Sequence, residues 1–287
     1  MFSQKDSTVD DKLQIQPGTA QETLIIPLYA RKKCGNKFPE LYKDPAAAKI
    51  CDRLDYDFSE LDKKYDTALY EFGALEGAMR QLDMMYEIND YLRNHPNASI
   101  VCLGCGLDLD TRRCGNQQNK IFNVDFPDVI AMREKLAGID QRETNIVSDL
   151  TDLSWMDQVD ARNGAVFYAA GVFHYLKKNV KAIVLKMTEL FPGCRLVFDT
   201  VGTLGYKLMM RVILKKHGMN DFGNLFYTNN AVKDLSSWSD KISVSSKGYM
   251  LGYYDMKLPS IKGIHRLLAK MGDNIMHMQI IKIELLY

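Results

Sequence analysis

Between Ile100 and Asp110 the chain reads IVCLGCGLDLD, an apolar run that breaks directly into Gly-Cys-Gly. An unalternating apolar run suits a strand buried on both faces, as in a parallel sheet covered by helices. Gly104 and Gly106, with Cys105 between them, permit a tight turn and a close backbone approach to a ligand. A second apolar run, IFNV, ends at Asp125 with Phe126 beside it. An acidic side chain roughly 20 residues after such a turn can accept both hydroxyls of a ribose. Asp125 before Pro127 is equally a good helix cap. The third glycine of a dinucleotide fingerprint is Leu109 here, and no GxxxxGK(S/T) occurs. The pattern therefore predicts an adenosine-bearing cofactor without phosphates, S-adenosylmethionine fitting better than NAD.

The elements around this motif alternate. Strands are expected at 100–105, 121–125, 144–149, 165–171 and 194–200, with crossover helices at 127–136 and 180–191. Two further strands, 242–254 and 275–286, flank a helix at 260–271, so an antiparallel hairpin closes a mostly parallel sheet. The fold class expected is α/β, a Rossmann-like methyltransferase core over 96–287 with a lid-like insertion at about 203–240. Residues 19–95 read as a helical cap, and 1–18 as a flexible arm ending in Pro17-Gly18. Thr19 and Glu22 form a capping box for the first helix. Asp44-Pro45 opens a second, 58–70 reads as a third, and 74–93 repeats apolar residues at three and four.

Composition narrows the class. The net charge of +1 gives no basic excess for nucleic acid, and no apolar run is long enough for a membrane span. The six cysteines match no metal signature, and their usage points to reduced thiols in a cytoplasmic, reducing compartment. The start, MFSQKDSTVDD, has no apolar core and is not expected to be a signal peptide.

Further candidates lie at strand ends. Asp149 can accept an adenine amino proton with Leu150 packing on the ring, or it can cap the segment that follows. Ala169, Ala170 and Gly171 are small enough to let a cofactor lie against backbone. His174 and Tyr175 follow within one turn. His174 is a candidate base or a packing residue. Arg80 stands on an otherwise apolar helix face. Its planar fork suits a carboxylate, or it pairs internally with Glu76 or Asp83 at helical spacing. The stretch 219–230, which contains NDFGNLFYTNN, offers with Tyr253 and Tyr254 walls for a flat acceptor.

Several blocks carry a resemblance over roughly residues 20–287: ARKKCGNKFPELYKDPAA, LEGAMRQLD, HPNASIVCLGCGLDLDTRR, VDFPDVIAMREKL, YAAGVFHYL and FPGCRLVFDTVG. The chain resembles the leucine carboxyl methyltransferase family, in its bacterial polyketide O-methyltransferase branch. The resemblance implies an S-adenosylmethionine-dependent O-methyltransferase with a small-molecule carboxylate as acceptor. It implies that Arg80 binds the methionine carboxylate, Gly104 and Gly106 line the methionine end, Asp125 takes the ribose, and Asp149 and Leu150 take the adenine. Arg31 would lie over the mouth of the site and Tyr175 near the transferring methyl. The chain departs from the family at Ala170-Gly171, where an acidic residue often precedes the glycine, and at His174, where an apolar residue is common. A phenolic acceptor with His174 as base, or a protein that binds the cofactor without transfer, are the alternatives.

Overall fold

The computed structural model describes residues 12–15, 20–65, 67–217 and 225–287. Strands β1 (Ser99–Leu103), β2 (Ile121–Asp125), β3 (Glu143–Val147), β4 (Ala165–Ala169), β5 (Arg195–Thr200), β6 (Ile242–Gly248) and β7 (Gln279–Leu285) form one seven-stranded sheet. Its order is β3-β2-β1-β4-β5-β7-β6. The first five strands run parallel, and β7 is antiparallel to both β5 and β6. From β1 the chain winds outward to β2 and β3, then returns to β4 on the other side. That reversal opens a crevice at the carboxyl ends of β1 and β4, where ligands of such sheets bind.

Alternate side chains of the central strands enter two cores, one on each face. Ile100, Cys102, Val166, Tyr168 and Val197 pack against the N-terminal helices. Val101, Leu103, Phe167, Leu196 and Phe198 pack against α6 (Val180–Leu190) and Trp155. This is period-two alternation with both faces buried, hence the apolar runs. The helical front section, α1 (Ala20–Lys37), α2 (Pro45–Asp52), α3 (Ser59–Tyr65) and α4 (Ala68–Asn94), shares the first of these cores. Helix α5 (Pro127–Ala137) links β2 to β3. Beyond β5 come α7 (Thr203–His217), α8 (Ala231–Ser236) and α9 (Gly263–Asn274).

The structure departs from the sequence reading in places. The helix expected over 58–70 is two helices, because Thr67 adopts an extended conformation and caps α4. The strand expected to reach 254 stops at Gly248. There Asp273 accepts the N–H groups of Met250 at 3.0 Å and Leu251 at 2.8 Å and turns the chain. The last strand starts at Gln279, after His277 takes a positive φ of 51°. Most of the expected arm at 1–18, the capping box and residues 218–224 of the insertion lie outside the described residues. Leu13–Gln14 pairs with Leu54–Asp55 in a short parallel ladder. All six cysteines are buried and free. Among the described residues no helix is long and apolar enough to cross a membrane.

One side chain of α4 conflicts with the fold around it. Asp83 is wholly buried and neither carboxylate oxygen has a hydrogen-bond partner. Burial, then the nearby Asp273 and Glu87, push its pKa up to about 9 against the opposing pull of Lys247. A folded-state pKa above the unfolded one means that the fold prefers the neutral acid. Stability is therefore lost as pH rises from the ordinary carboxylate range toward that raised value. Asp83→Asn keeps the shape without the titration. Its stability relative to the native chain is expected to grow by up to about 1.4 kcal/mol per pH unit above pH ~4. Urea unfolding of both proteins at pH 5 and 7 checks this, and a pH-independent difference refutes it.

Candidate active site

The turn after β1 is built by backbone conformation and by contact. Gly104 has φ +69°, and a Cβ there would lie 2.6 Å from Val172 Cγ2. Gly106 has φ +48°, with Leu24 of α1 at 3.4 Å from a Cβ position. Side chains are thus excluded twice at Gly104 and by backbone strain at Gly106. Asp125 at the end of β2 ties the turn down. One oxygen accepts the Gly106 N–H at 2.8 Å and the other accepts the Phe126 N–H at 2.8 Å. Burial raises its pKa despite these bonds. Each oxygen keeps a lone pair for a further donor. Cys105 is buried, whereas the Phe126 ring is 50% exposed at the rim. Asp149, two residues past β3, is exposed and accepts both the N–H and hydroxyl of Thr151 at 2.8 Å. Leu150 is buried beside it, its carbonyl accepting Trp155 Nε1–H at 3.2 Å.

A second cluster sits at the ends of β4 and β5. Asp199, only 2% exposed, accepts the Gly171 N–H at 2.6 Å. Its other oxygen lies 3.3 Å from an Arg80 terminal nitrogen and 3.3 Å from His174 Nε2. Burial alone would raise the Asp199 pKa. Arg80 and His174 reverse that and hold it well below the usual carboxylate range. Gly171 has φ +74°, and a Cβ there would sit 3.0 Å from the Arg80 guanidinium. Gly171 thus makes room for the arginine, whereas Ala169 is buried in the core on the α6 face and Ala170 is half-buried. Arg80 stays partly exposed, and its buried Nε has no partner. His174 is buried, with Nδ1 3.4 Å from the Phe226 carbonyl. Tyr175 is 56% exposed. Partial burial raises its pKa, and Arg80 and Asp199 both act on its hydroxyl.

Arg31 lies elsewhere than the mouth. It is 6% exposed, donating to Asp44 at 2.9 Å and to the Leu107 carbonyl at 3.4 Å. Asp44 also caps α2, and the Tyr42 hydroxyl bridges Asp44 and Asp110. Arg31 therefore fastens α1 and α2 to the glycine turn, its charge spent inside the protein. Tyr253 and Tyr254 turn away too, donating to Glu87 at 2.8 Å and to the Leu82 carbonyl at 3.4 Å. Of the 219–230 stretch, Phe226 does reach the site, through the His174 backbone and ring. Asp199 is the residue that the sequence reading missed. Its signal is the one that marked Asp125 and Asp149, an acid at the end of an apolar strand.

A parallel sheet with a glycine turn after its first strand, an acid ending the second and a C-terminal antiparallel hairpin defines the S-adenosylmethionine-dependent methyltransferase class. The residues present fit that cofactor. Asp125 has lone pairs to spare, Phe126 offers an apolar face, and Arg80 is a partly exposed guanidinium whose buried Nε has no partner among the described residues. The profile of the leucine carboxyl methyltransferase family matches residues 30–189, more than half of the chain. The chain belongs to that family, one of S-adenosylmethionine-dependent methyltransferases. It is 28% identical over 182 residues to the tetracenomycin polyketide synthesis O-methyltransferase TcmP of Streptomyces glaucescens, a match covering 63% of this chain and 65% of TcmP. It is 24% identical over 222 residues to the S-adenosyl-L-methionine-dependent methyltransferase dpfgK of Gibberella zeae, covering 71% and 74% of the two chains. A solved structure of a methyltransferase candidate from Thermobifida fusca YX shares the fold, with a TM-score of 0.58 and 13% identity over 95% of this chain and 100% of that one.

The Asp199 cluster carries a stability prediction. Its depressed pKa means a contribution that is present above the ordinary carboxylate pKa and is lost as pH falls. Asp199→Asn is expected to destabilise the fold by about 3–5 kcal/mol at pH 7, since it leaves Arg80 without its countercharge. The deficit should shrink below pH ~4. Chemical denaturation at both pH values measures it.

Proposed function

We propose that this chain transfers a methyl group to a carboxylate oxygen of a small molecule, forming a methyl ester. When bound, S-adenosylmethionine supplies an electrophilic sulfonium methyl and leaves as S-adenosylhomocysteine. Asp125 holds the ribose with charge-assisted hydrogen bonds, and Phe126 and Leu150, with Asp149 at the rim, flank the adenine. Gly104, Cys105 and Gly106 present backbone to the methionine portion, and Arg80 grips its carboxylate while Gly171 keeps the approach open. Tyr175 stands where its hydroxyl orients the acceptor beside Arg80. Arg31 contributes by positioning the glycine turn. The name of TcmP, an O-methyltransferase of polyketide synthesis, supports an oxygen acceptor on a small molecule.

The observation that carries the choice of carboxylate is the setting of His174. Its two ring nitrogens face the Phe226 carbonyl and the Asp199 carboxylate, both acceptors. Both ring nitrogens are thus turned toward protein atoms rather than toward a substrate hydroxyl. A carboxylate is already ionised at pH 7 and needs no base, whereas a phenol with a pKa near 10 does. Catalysis then rests on approximation, alignment and exclusion of water.

Binding of S-adenosylhomocysteine tests the cofactor half. Asp125→Ala is expected to weaken it roughly 10- to 100-fold, the worth of charge-assisted hydrogen bonds. Arg80→Lys should not restore Arg80→Ala to native affinity, because lysine lacks the bidentate fork. Calorimetry on the folded variants reads both effects, and native affinity in either Asp125→Ala or Arg80→Lys removes that assignment.

His174→Gln tests the acceptor half. Glutamine keeps polar contacts to Phe226 and Asp199 but does not titrate. The variant is expected to keep most activity toward carboxylic acids, with a flat rate from pH 6 to 8 under saturating cofactor. A loss of about 10²–10⁴-fold, on a rate that in the native enzyme rises through the histidine range, would instead make His174 a general base for a phenol.

A further inference from the structure

Glu76 stands one helical turn before Arg80 on α4 and therefore on the same face. It is half-buried, and the Tyr249 hydroxyl donates to its Oε1 at 2.5 Å. Tyr249 is buried at the turn that follows β6, so this contact ties α4 to the hairpin end of the sheet. The sheet order decides which part of a reaction complex such a residue meets. The ribose and methionine positions, Asp125, Gly104 and Gly106, lie at β2 and β1. Arg80 lies against Gly171 and Asp199, at the ends of β4 and β5. The Tyr249–Glu76 pair lies further along the same series, toward β7 and β6. In this order Glu76 falls beyond Arg80, on the side away from the ribose and methionine positions, which is the side left for an acceptor.

Space is available there. Gly73 lies one turn before Glu76, and a Cβ there would meet nothing within 4 Å, so the helix surface on that side of Glu76 is uncovered. The chemistry of the pair is one-sided. Tyr249 occupies Oε1, and no group among the described residues donates to Oε2, so it is available as an acceptor of a hydrogen bond. Burial pushes the Glu76 carboxyl up while Arg80 pulls it down, so its charge is matched only in part. A plain carboxylic acid placed at Arg80 would bring a second anion within reach of this acid and give it nothing to bind.

We infer that Glu76 is the specificity-determining residue on the acceptor side, selecting carboxylic acids that carry a hydroxyl or amino hydrogen-bond donor near the carboxylate that is methylated. Tyr249 is its positioning residue. This rests on the carboxylate reading of the site. No proton is transferred to Glu76 in the reaction; it accepts a hydrogen bond and supplies no electrons.

The test measures methyl transfer from labelled S-adenosylmethionine by the full chain to four matched probes: benzoate, 3-hydroxybenzoate, 3-aminobenzoate and 3-methoxybenzoate. The hydroxyl and amino acids are expected to exceed benzoate and the methoxy acid in kcat/KM by at least about tenfold, the value of a hydrogen bond to a charged group. Glu76→Ala should abolish that preference and Glu76→Gln should reduce it, while S-adenosylhomocysteine affinity stays within about twofold in both, which also reports that they fold. Tyr249→Phe should lower the preference through KM. A native enzyme that treats all four acids alike overturns the inference, as does a preference that survives Glu76→Ala. A loss of S-adenosylhomocysteine affinity with the preference intact would assign Glu76 to the cofactor instead. If the native protein binds S-adenosylhomocysteine yet methylates none of the four, the carboxylate reading fails, and this inference fails with it.

Discussion

Asp199 is a buried negative charge at the end of β5, and its three partners come from two separate parts of the chain, α4 and the loop between β4 and α6. The Gly171 N–H comes from the loop after β4, the guanidinium of Arg80 from α4, and the imidazole of His174 from the turn beyond Gly171. A carboxylate removed from water costs several kcal/mol unless it is paired and hydrogen-bonded. Meeting that demand draws the helical front section onto the sheet at one spot. It also fixes where the Arg80 fork points, and it holds the loop between β4 and α6 against the crevice. If His174 shifted, the Phe226 segment would lose its anchor, since the Phe226 N–H donates to the His174 carbonyl at 2.7 Å. The reacting groups are thus placed by one charge that itself touches none of the proposed ligand positions except through Arg80.

The glycine turn works by the same logic with weaker partners. Asp125 spends one acceptor site on the Gly106 N–H and one on the Phe126 N–H. The carboxylate that would bind ribose therefore also shapes the turn that would approach the methionine. Behind it, Arg31 donates to the Leu107 carbonyl and Arg133 to the Asp108 carbonyl at 2.5 Å. Both arginines are buried and countered, Arg31 by Asp44 and Arg133 by Glu143 at 2.9 Å. Two arginines that neither bind nor react hold the carbonyls of the loop from beneath.

Much of this was legible in the sequence because it is local. An apolar strand running into Gly-Cys-Gly needs positive φ at the turn, and an acid at the end of the next strand has backbone N–H groups to meet. Arg80 was legible as a charge on an apolar helix face, but its partner was not. Helical spacing suggested Glu76 or Asp83, yet the partner is Asp199, 119 residues away. Asp83, three residues on from Arg80, is buried and has no hydrogen-bond partner among the described residues. Sequence spacing gives the neighbours along a helix and says nothing of what a sheet brings to it. Tyr253 and Tyr254 misled for the same reason. Their aromatic character was read correctly, but the turn set by Asp273 aims them at Glu87 and the Leu82 carbonyl.

The family match ends at residue 189, and that boundary has a structural meaning. The glycine turn, Asp125, Asp149, Arg80 and the segment through Tyr175 all precede it. Asp199, Phe226 and Tyr249 all follow it. The residues proposed for the cofactor therefore fall within the matched segment. Of the residues proposed for the acceptor side, Glu76 and Tyr175 lie within the match and Tyr249 beyond it, with α4 as a common wall. Within α4 the same division recurs over a single turn. Arg80 looks toward Gly171 and the cofactor end, whereas Glu76 looks toward Tyr249 and the hairpin. Membership of the family can thus fix the chemistry of the methyl donor while leaving the acceptor to be read from the hairpin side of this chain alone.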